Sequence, residues 1–326
     1  MIRKCVAISL LVLCAAVAFA AVPDIALKSA ADLLNAGHAD EAVALLGSRI
    51  KAQPTDAAAY NLLARTYYAM GRWDDAVAAG EKAVALEPGN SSYHMWLCRM
   101  YGEKADHSSF VTAAGLVKKI RAEFERAVQI DATNLDARTD LAEFYLEAPG
   151  FMGGGKDKAR QQAASMASQD AAAAHWLEAR IAEKDKRYPD AEREYKSAIE
   201  SSGYQARYWL NLASFFKRQH RYNEMEAAIS SAVNSDRKKP ANYVDAATLL
   251  VGAGRNFIGA AQFIRKYLTG GQTTEEAPTF KAHYVLGEIL EKQGDKAGAA
   301  AEYRAALQLA KDYSDAKEAL ARLEQH

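Results

Sequence analysis

The sequence has no excess of charge of either sign. Its 326 residues carry 41 lysines and arginines against 41 aspartates and glutamates, so the formal net charge is zero. A protein that holds a nucleic acid by its backbone needs a surplus of basic side chains, because phosphate contacts supply much of the attraction. We therefore expect no nucleic-acid partner.

The sequence also lacks the motifs of known catalytic and metal sites. Its seven histidines form no His-Glu-x-x-His helix and no cluster with carboxylates, and no serine stands in Gly-x-Ser-x-Gly. His38 and His220 are predicted to occupy equivalent turns in two copies of the repeat described below. We expect no enzymatic activity, no bound metal and no cofactor.

Cysteine is scarce. Of the three cysteines, Cys5 and Cys14 lie in an N-terminal stretch that differs from the rest of the chain, and only Cys98 lies beyond it. Cys98 follows Leu97 at a position where a small buried residue is expected. A single cysteine forms no internal disulfide, so an oxidising compartment would leave the fold without a covalent link.

That N-terminal stretch, residues 1–20, has the pattern of a secretory signal peptide. Arg3 and Lys4 precede an apolar run, and Ala-Phe-Ala at 18–20 is a small-x-small cleavage site. The run is too short for a comfortable membrane span, so the mature chain is predicted to have no transmembrane segment. We expect cleavage after Ala20 and export, with the periplasm as the compartment. The mature chain would then carry a net charge of −2.

A second interpretation of the same stretch is a lipid anchor. Cys14 ends the apolar run, where an exported bacterial protein can carry a lipid-attachment site. Leu13 precedes it, although such sites favour Gly, Ala or Ser. The alternative function is therefore a lipid-anchored assembly factor of the outer membrane.

The stretch from Ala57 to Asn90 organises the rest of the chain. Its first half has apolar residues at i, i+3, i+4 and i+7, the spacing of one helix face, and Gly71 then interrupts the run where a tight turn needs positive φ. A second helical pattern starts at Trp73 and ends before Pro88. The sequence predicts two short helices in 34 residues.

This unit resembles the tetratricopeptide repeat, a 34-residue helix–turn–helix. The matching positions are Tyr60, Leu63, Ala64, Tyr67, Ala76, Ala83 and Pro88. Gly80 departs from the bulky residue that the family has at its position. Small signature residues let helices approach closely, and large ones fill the space between them.

The pattern recurs in register along nearly all of residues 21–326. The predicted repeats span residues 23–56, 57–90, 91–134, 135–171, 172–205, 206–239, 240–271 and 280–313, with a capping helix at 315–325. The resemblance implies an all-α fold, a right-handed superhelical solenoid of about eight helical hairpins plus the C-terminal capping helix.

Two repeats are longer than the unit at the turn between their helices. Repeat 3 has ten extra residues within Gly102–Gly115, and repeat 4 has five within Ala148–Gly155. We predict two loops that project from the same edge of the solenoid. Phe110, Phe151 and Met152 are candidate edge residues that contact a partner, although packing of the loops on each other is the favoured interpretation.

The second of these segments nearly matches a phosphate-binding loop. Residues 150–157 read Gly-Phe-Met-Gly-Gly-Gly-Lys-Asp, but Asp157 stands where the motif has Ser or Thr, and a helical pattern precedes it instead of a strand. A glycine-rich turn is the favoured interpretation. Phosphate or nucleotide binding is the minor alternative, with weak anion or peptide capture at the helix start between them.

The resemblance also implies a binding surface, because in this family first-helix residues line the inner face. Carried over residue by residue, the candidate groove residues are Asn61, Arg65, Met95, Arg99, Glu143, Trp176, Arg180 and Lys217. Three arginines at one repeat position suit carboxylates. The favoured interpretation is nevertheless that they are solvated side chains near Glu143 and Glu183. The lysine–asparagine pattern of the family's chaperone-tail clamp is missing.

These observations predict a non-catalytic periplasmic scaffold for protein–protein interaction. Its ligand would be an extended peptide or a partner protein of unknown identity, held in the concave groove and at the loop-bearing edge. The sequence leaves the oligomeric state open.

Overall fold

The computed structural model describes residues 25–235 and 240–325, so the predicted signal peptide at 1–20 lies outside the described residues. Within these ranges the chain forms seventeen α-helices, one 3₁₀ turn and no strand. None of the helices described is long and apolar enough to cross a bilayer. The fold is an all-α helical repeat solenoid.

The helices form consecutive pairs. Those of the first half are α1 (Ile25–Ala36), α2 (Ala39–Ala52), α3 (Ala57–Ala69), α4 (Trp73–Leu86), α5 (Ser91–Asp106), α6 (Phe110–Ile130), α7 (Leu135–Glu147) and α8 (Lys156–Met166). Those of the second half are α9 (Ala171–Lys184), α10 (Tyr188–Ser201), α11 (Ala206–Arg218), α12 (Tyr222–Ser235), α13 (Ala241–Gly252), α14 (Phe257–Thr269), α15 (Thr279–Lys292) and α16 (Lys296–Leu309). The last helix, α17 (Ser314–Glu324), follows the eighth pair.

Short polar side chains fix where several first helices begin. The Asp56 carboxylate accepts a hydrogen bond from the Ala59 N–H at 2.9 Å, and Asn134 and Asp170 cap α7 and α9 in the same way. Each cap satisfies one backbone donor that the first helical turn leaves without a partner. The caps therefore fix the start of these first helices.

The turn inside every repeat except repeat 3 contains a left-handed residue. Gly71 has φ of 69°, and the equivalent residues of repeats 5 and 6 are Lys186 and His220, with φ of 60° and 58°. His38 has φ of −78° because the left-handed residue of its turn is Gly37. The predicted equivalence of His38 and His220 is therefore wrong by one position.

The departure at Gly80 has a packing reason. A Cβ there would lie 2.9 Å from the sulfur of Met100 in the next repeat, so only glycine lets α5 approach α4 this closely. Repeat 8 makes the opposite choice. Tyr303 stands at the position of Gly80, and its ring packs against Gly287 of the facing helix. Gly80 thus makes room for Met100 of the next repeat, whereas Gly287 makes room for Tyr303 of its own repeat.

The extra residues of repeat 3 lengthen its helices. Helix α5 continues to Asp106 and α6 starts at Phe110 and runs for 21 residues, so only residues 107–109 lie between them. The predicted loop at 102–115 is wrong. Leu116, Ile120 and Phe124 are buried at four-residue spacing, and this apolar stripe extends the helix backwards through the insertion.

The extra residues of repeat 4 form a compact turn. Residues 150–152 make a 3₁₀ turn, and a Cβ on Gly153 would collide with the side chain of Arg121 in α6. Phe110 and Phe151 nevertheless remain 82% and 86% exposed, and Met152 is half-buried. The favoured expectation that the two segments bury these aromatic side chains against each other is therefore wrong.

The first helices of the repeats form the inner wall. Neighbouring first helices contact one another from α1 to α9 and again from α11 to α15, whereas neighbouring second helices are farther apart. A row of hairpins whose first helices lie closer together curves towards that side. The concave groove is therefore lined by α3, α5, α7, α9, α11, α13 and α15.

The solenoid completes a turn and contacts its own start. Phe280 and Tyr313 belong to the same buried apolar cluster as Leu34 of repeat 1. The Lys311 N–H donates to the Asp40 carboxylate at 3.0 Å. We call this contact of α15–α17 with the turns of repeats 1 and 2 the seam.

Candidate partner-binding groove

The groove of repeats 2 and 3 centres on two arginines and one tryptophan. The guanidinium carbon of Arg65 lies 4.8 Å from the ring centroid of Trp96, and that of Arg99 lies 5.0 Å from it. Both cations are thus within cation–π distance of one indole. We call these three residues the arginine–tryptophan cluster.

Both arginines of this cluster already have carboxylate partners. Arg65 Nε donates to Glu275 at 2.6 Å, and a second guanidinium nitrogen donates to the other oxygen of the same carboxylate. Arg99 Nε donates to Asp140 at 2.6 Å. Burial raises the pKa of Asp140, and the charge of Arg99 and its hydrogen bond oppose that rise.

The third predicted arginine, Arg180, lies among three carboxylates. Its guanidinium is 3.4 Å from Glu143, 3.0 Å from Glu147 and 3.6 Å from Glu183. The three arginines therefore share a repeat position as expected, but the chain's own acids neutralise all of them. They are not a row of unpaired cations.

The other candidates of the first half lie differently from the expectation. Asn61 and Met95 are only 7% and 5% exposed, so the fifth position of repeats 2 and 3 points into the packing between helices. Trp96, one residue later, takes the groove position instead. Trp96 is not among the predicted groove residues, although a tryptophan directly after Met95 is a visible signal in the sequence.

In the second half, Lys217 lies against the backbone of Gly252. A Cβ on that glycine would collide with the lysine ammonium, so Lys217 reaches from repeat 6 across the first helix of repeat 7. Lys217 is half-buried, in contrast to its neighbour Arg218, which is exposed and bonded to Glu183.

A cavity of about 130 Å³ opens in the groove between the first helices of repeats 4, 5 and 6. It is lined by Leu135, Asp136, Thr139, Asp170, Ala173, Trp176, Arg207, Tyr208 and Asn211. Trp176 packs against both buried apolar clusters of the molecule, which meet at α9. The cavity thus combines a fixed aromatic side chain with polar groups from three helices.

Three histidines pair with glutamates inside their own repeats. The pairs are His94 with Glu123, His175 with Glu194 and His283 with Glu302. Each pair joins a first helix to its second helix at equivalent positions, which assigns these histidines a packing role. Among the described residues, no three His, Cys, Asp or Glu side chains are grouped to hold a metal ion.

The glycine-rich turn uses its own amides. The Gly153 N–H donates to the Gly150 carbonyl at 3.0 Å, and the Gly155 N–H donates to the Tyr145 carbonyl at 2.7 Å. Lys156 pairs with Asp185, and Asp157 pairs with Arg160 at 3.2 Å. A phosphate cradle needs amides and a lysine that point at the ligand. Here these amides and Lys156 bond within the chain instead, as in the glycine-rich turn that the sequence favours.

The repeat geometry has counterparts among known proteins. Residues 33–100 and residues 280–313 each match a family model described as tetratricopeptide repeat. Tetratricopeptide repeats are therefore recognised in these two segments, which together make up less than half of the chain. Tetratricopeptide folds generally mediate protein–protein interactions, and the groove described above is the surface that such a superhelix offers.

Solved structures resemble most of the chain in fold. Yeast Tom70 matches with a TM-score of 0.55 at 16% identity, over 88% of this chain and 58% of that one, so the chain spans little more than half of the Tom70 structure. A tetratricopeptide repeat protein from Parabacteroides merdae matches with a TM-score of 0.44 at 15% identity, over 92% of this chain and 98% of that one. No curated protein matches the sequence.

Proposed function

We propose that this protein is a non-catalytic scaffold that binds an extended segment of a partner protein in its concave groove. The observation that carries the proposal is the cavity at Trp176, which is lined by two aromatic residues, Trp176 and Tyr208, and by hydrogen-bonding groups from three first helices. A peptide bound there could bury an apolar side chain against the indole. Its backbone could bond to Thr139 and Asn211.

The charge of the groove supports a partner with both acidic and basic groups. Arg207 lies 3.5 Å from Asp170, and its guanidinium carbon lies 4.6 Å from the ring centroid of Tyr208. Asp136 is exposed beside the same cavity. Exposed pairs of this kind contribute little to stability, so they exchange for partner groups at small cost.

We further propose that the protein acts after export, in the periplasm. The support is the pattern of residues 1–20, with a basic start, an apolar run and a small-x-small site before residue 21. Mass spectrometry of the mature amino terminus tests this. An unmodified N-terminal Ala21 is expected, whereas an acylated Cys14 would indicate the lipid-anchored alternative.

Crosslinking capture from the cell envelope tests the groove. The wild-type chain and the variants Trp176→Ala and Ile258→Ala are each crosslinked and recovered, and the captured proteins are compared. Ile258 is the matched control because it is an apolar side chain, 71% exposed, on the second helix of repeat 7. We expect Trp176→Ala to lose at least one partner that Ile258→Ala retains.

The opposite result contradicts the groove as the binding surface. If the Trp176→Ala variant stays folded by circular dichroism and captures the same partners as the wild type, the surface lies elsewhere. The Phe151→Ser variant then tests the turn-bearing edge, because Phe151 is 86% exposed there.

A further inference from the structure

The segment between α14 and α15 crosses from the last repeats to the groove of repeats 2 and 3. It comprises residues 271–278, Gly-Gln-Thr-Thr-Glu-Glu-Ala-Pro, and we call it the strap. Two bonds anchor it to its own repeat. The Tyr267 hydroxyl donates to the Ala277 carbonyl, and the Thr274 N–H donates to the Tyr267 oxygen at 3.3 Å.

One acidic side chain of the strap enters the groove. Glu275 accepts two hydrogen bonds from Arg65, which lies over the ring of Trp96. The side chain of Glu275 is only 17% exposed and that of Arg65 only 29%. Arg65 is one of the groove residues that the repeat pattern assigns to ligand contact. The strap thus places a carboxylate of this chain where a partner's carboxylate would bind.

The neighbouring acidic side chain fits its surroundings less well. Glu276 is exposed and acts on Asp245 of α13. Asp245 is exposed at its surface, but desolvation by the surrounding protein and the repulsion by Glu276 raise its pKa to about 6. Lys281 attracts both glutamates of the strap. The two glutamates share the attraction by Lys281 but differ in their other neighbour. Glu275 is attracted by Arg65, whereas Glu276 is repelled by Asp245.

We propose that the strap is an internal ligand of the groove, and that an acidic, extended segment of the partner binds by displacing Glu275 from Arg65. The inference rests on the proposed function and adds its regulation. The strap contacts Arg65 through a bidentate pair, which a carboxylate of the partner can replace bond for bond. Both ends of the strap continue into helices, α14 and α15, so the released strap would stay near the groove.

Hydrogen–deuterium exchange of the full chain tests whether Glu275 holds the strap. We compare the wild type with Glu275→Gln and with the matched control Glu276→Gln. The control replaces the carboxylate of the neighbouring residue with an amide in the same way. In Glu275→Gln the amides of Thr274 and Ala277 should exchange about tenfold faster, because local opening becomes more frequent. In Glu276→Gln they should exchange at the wild-type rate or more slowly.

A peptide tests whether the vacated site accepts an acidic segment. The probe is a labelled peptide with the sequence of residues 271–278, followed by fluorescence anisotropy. It should bind the Glu275→Gln protein about tenfold more tightly than the wild type, because the occupied fraction of the wild-type site reduces the apparent affinity. The same peptide with Gln in place of its first glutamate should not bind.

Each arm has an outcome that overturns the proposal. Equal exchange of the strap in all three proteins would show that Glu275 does not hold it. Equal affinity of the peptide for the wild type and Glu275→Gln, or no binding to Glu275→Gln up to millimolar concentration, would show that the strap is not an internal ligand. Exchange reports on the strap even when no partner is captured, so failure of the proposed function is distinguishable.

Discussion

The turn glycine of repeat 2, Gly71, packs directly against Ser314, the first residue of α17. The Ser314 N–H donates to the carbonyl of Met70 at 3.3 Å, and a Cβ on Gly71 would overlap the serine hydroxyl. The neighbouring Arg72 lies 3.6 Å from Asp312. A Cβ on Gly254, the equivalent glycine of repeat 7, would meet nothing within 4 Å, whereas the turn of repeat 2 is a contact between successive turns of the superhelix.

This contact predicts that two equivalent glycines differ in their tolerance of alanine. Gly71 and Gly254 have φ of 69° and 65°, so alanine is strained at both, but a Cβ on Gly254 meets nothing within 4 Å. Gly254→Ala should lower the free energy of unfolding by about 1 kcal/mol. Gly71→Ala should lower it by about 2–3 kcal/mol, since overpacking adds to the strain.

Urea denaturation measures both values, and hydrogen exchange of α17 locates the effect. Faster exchange of α17 is expected in Gly71→Ala alone. Equal losses of stability in the two variants, with unchanged exchange of α17, would show that the seam contributes nothing.

The turn of repeat 5 offers a stabilising substitution at Lys186. Lys186 has φ of 60° at a position where four other repeats have glycine, and its side chain is exposed. Lys186→Gly should raise the free energy of unfolding by about 0.5–1 kcal/mol, because a left-handed non-glycine residue costs more than the added freedom of the unfolded chain. Lys186→Ala keeps the strain and is the matched control. Its stability should equal that of the wild type in the same urea titration.

The pair of His94 and Glu123 predicts a dependence of stability on pH. Burial alone would lower the pKa of His94, but its bonds to the Glu123 carboxylate and the Pro88 carbonyl outweigh burial and raise that pKa. A histidine with a raised pKa stabilises the fold below the pKa of the unfolded chain, about 6.5. That stabilisation is lost as the pH rises through the pKa of the folded state.

The measurement is urea unfolding of wild type and His94→Gln at pH 5.5 and pH 8.5. The wild type should exceed the variant by more at the lower pH. The double variant His94→Gln, Glu123→Gln is the control, since it removes both partners and should show no further change with pH at this site. A difference independent of pH would contradict a protonated His94.

Asp245 predicts a pH dependence in the range between its two pKa values. Asp245 is exposed at its surface, but desolvation by the surrounding protein and the charge of Glu276 raise its pKa to about 6, above the ordinary aspartate value of about 3.9. The cost of the charged carboxylate is fully present above pH 6 and is relieved as the pH falls towards 4. Asp245→Asn should therefore raise the melting temperature at pH 7.5 by about 1–3 °C.

The gain should shrink at pH 5, which differential scanning calorimetry checks. Asp312→Asn is the control of opposite sign. Its hydrogen bond to Lys317 lowers the pKa of Asp312, so that variant should be less stable than the wild type at pH 7.5. Equal melting temperatures of Asp245→Asn and wild type at both pH values would contradict the raised pKa.

The repeats could be predicted from sequence because each signature residue acts locally. Ala64, Ala76 and Ala83 are fully buried, and Gly71 has positive φ, as the pattern of one unit predicts. The partners in the groove could not be predicted in this way. Arg65 meets Glu275 across 210 positions of sequence, and only the curvature of the complete superhelix brings them together.

The insertion in repeat 3 was mispredicted for a related reason. A fixed repeat length assigns surplus residues to a loop, whereas helix length is decided by where the apolar stripe ends. Gly102 and Gly115 suggested a break, but each costs a helix only about 1 kcal/mol. The packing of Leu116, Ile120 and Phe124 outweighs that cost.

The seam also fixes the number of repeats. In an open array, hairpins can be added or removed at small penalty, because each contacts only its neighbours. Here Phe280 shares a buried cluster with Leu34, so the first and eighth hairpins are neighbours in space although they are distant in sequence. Inserting or deleting one hairpin anywhere would offset that contact by a full unit. The number of hairpins in one turn of the superhelix is therefore fixed, because the contact between the first and eighth hairpins closes that turn.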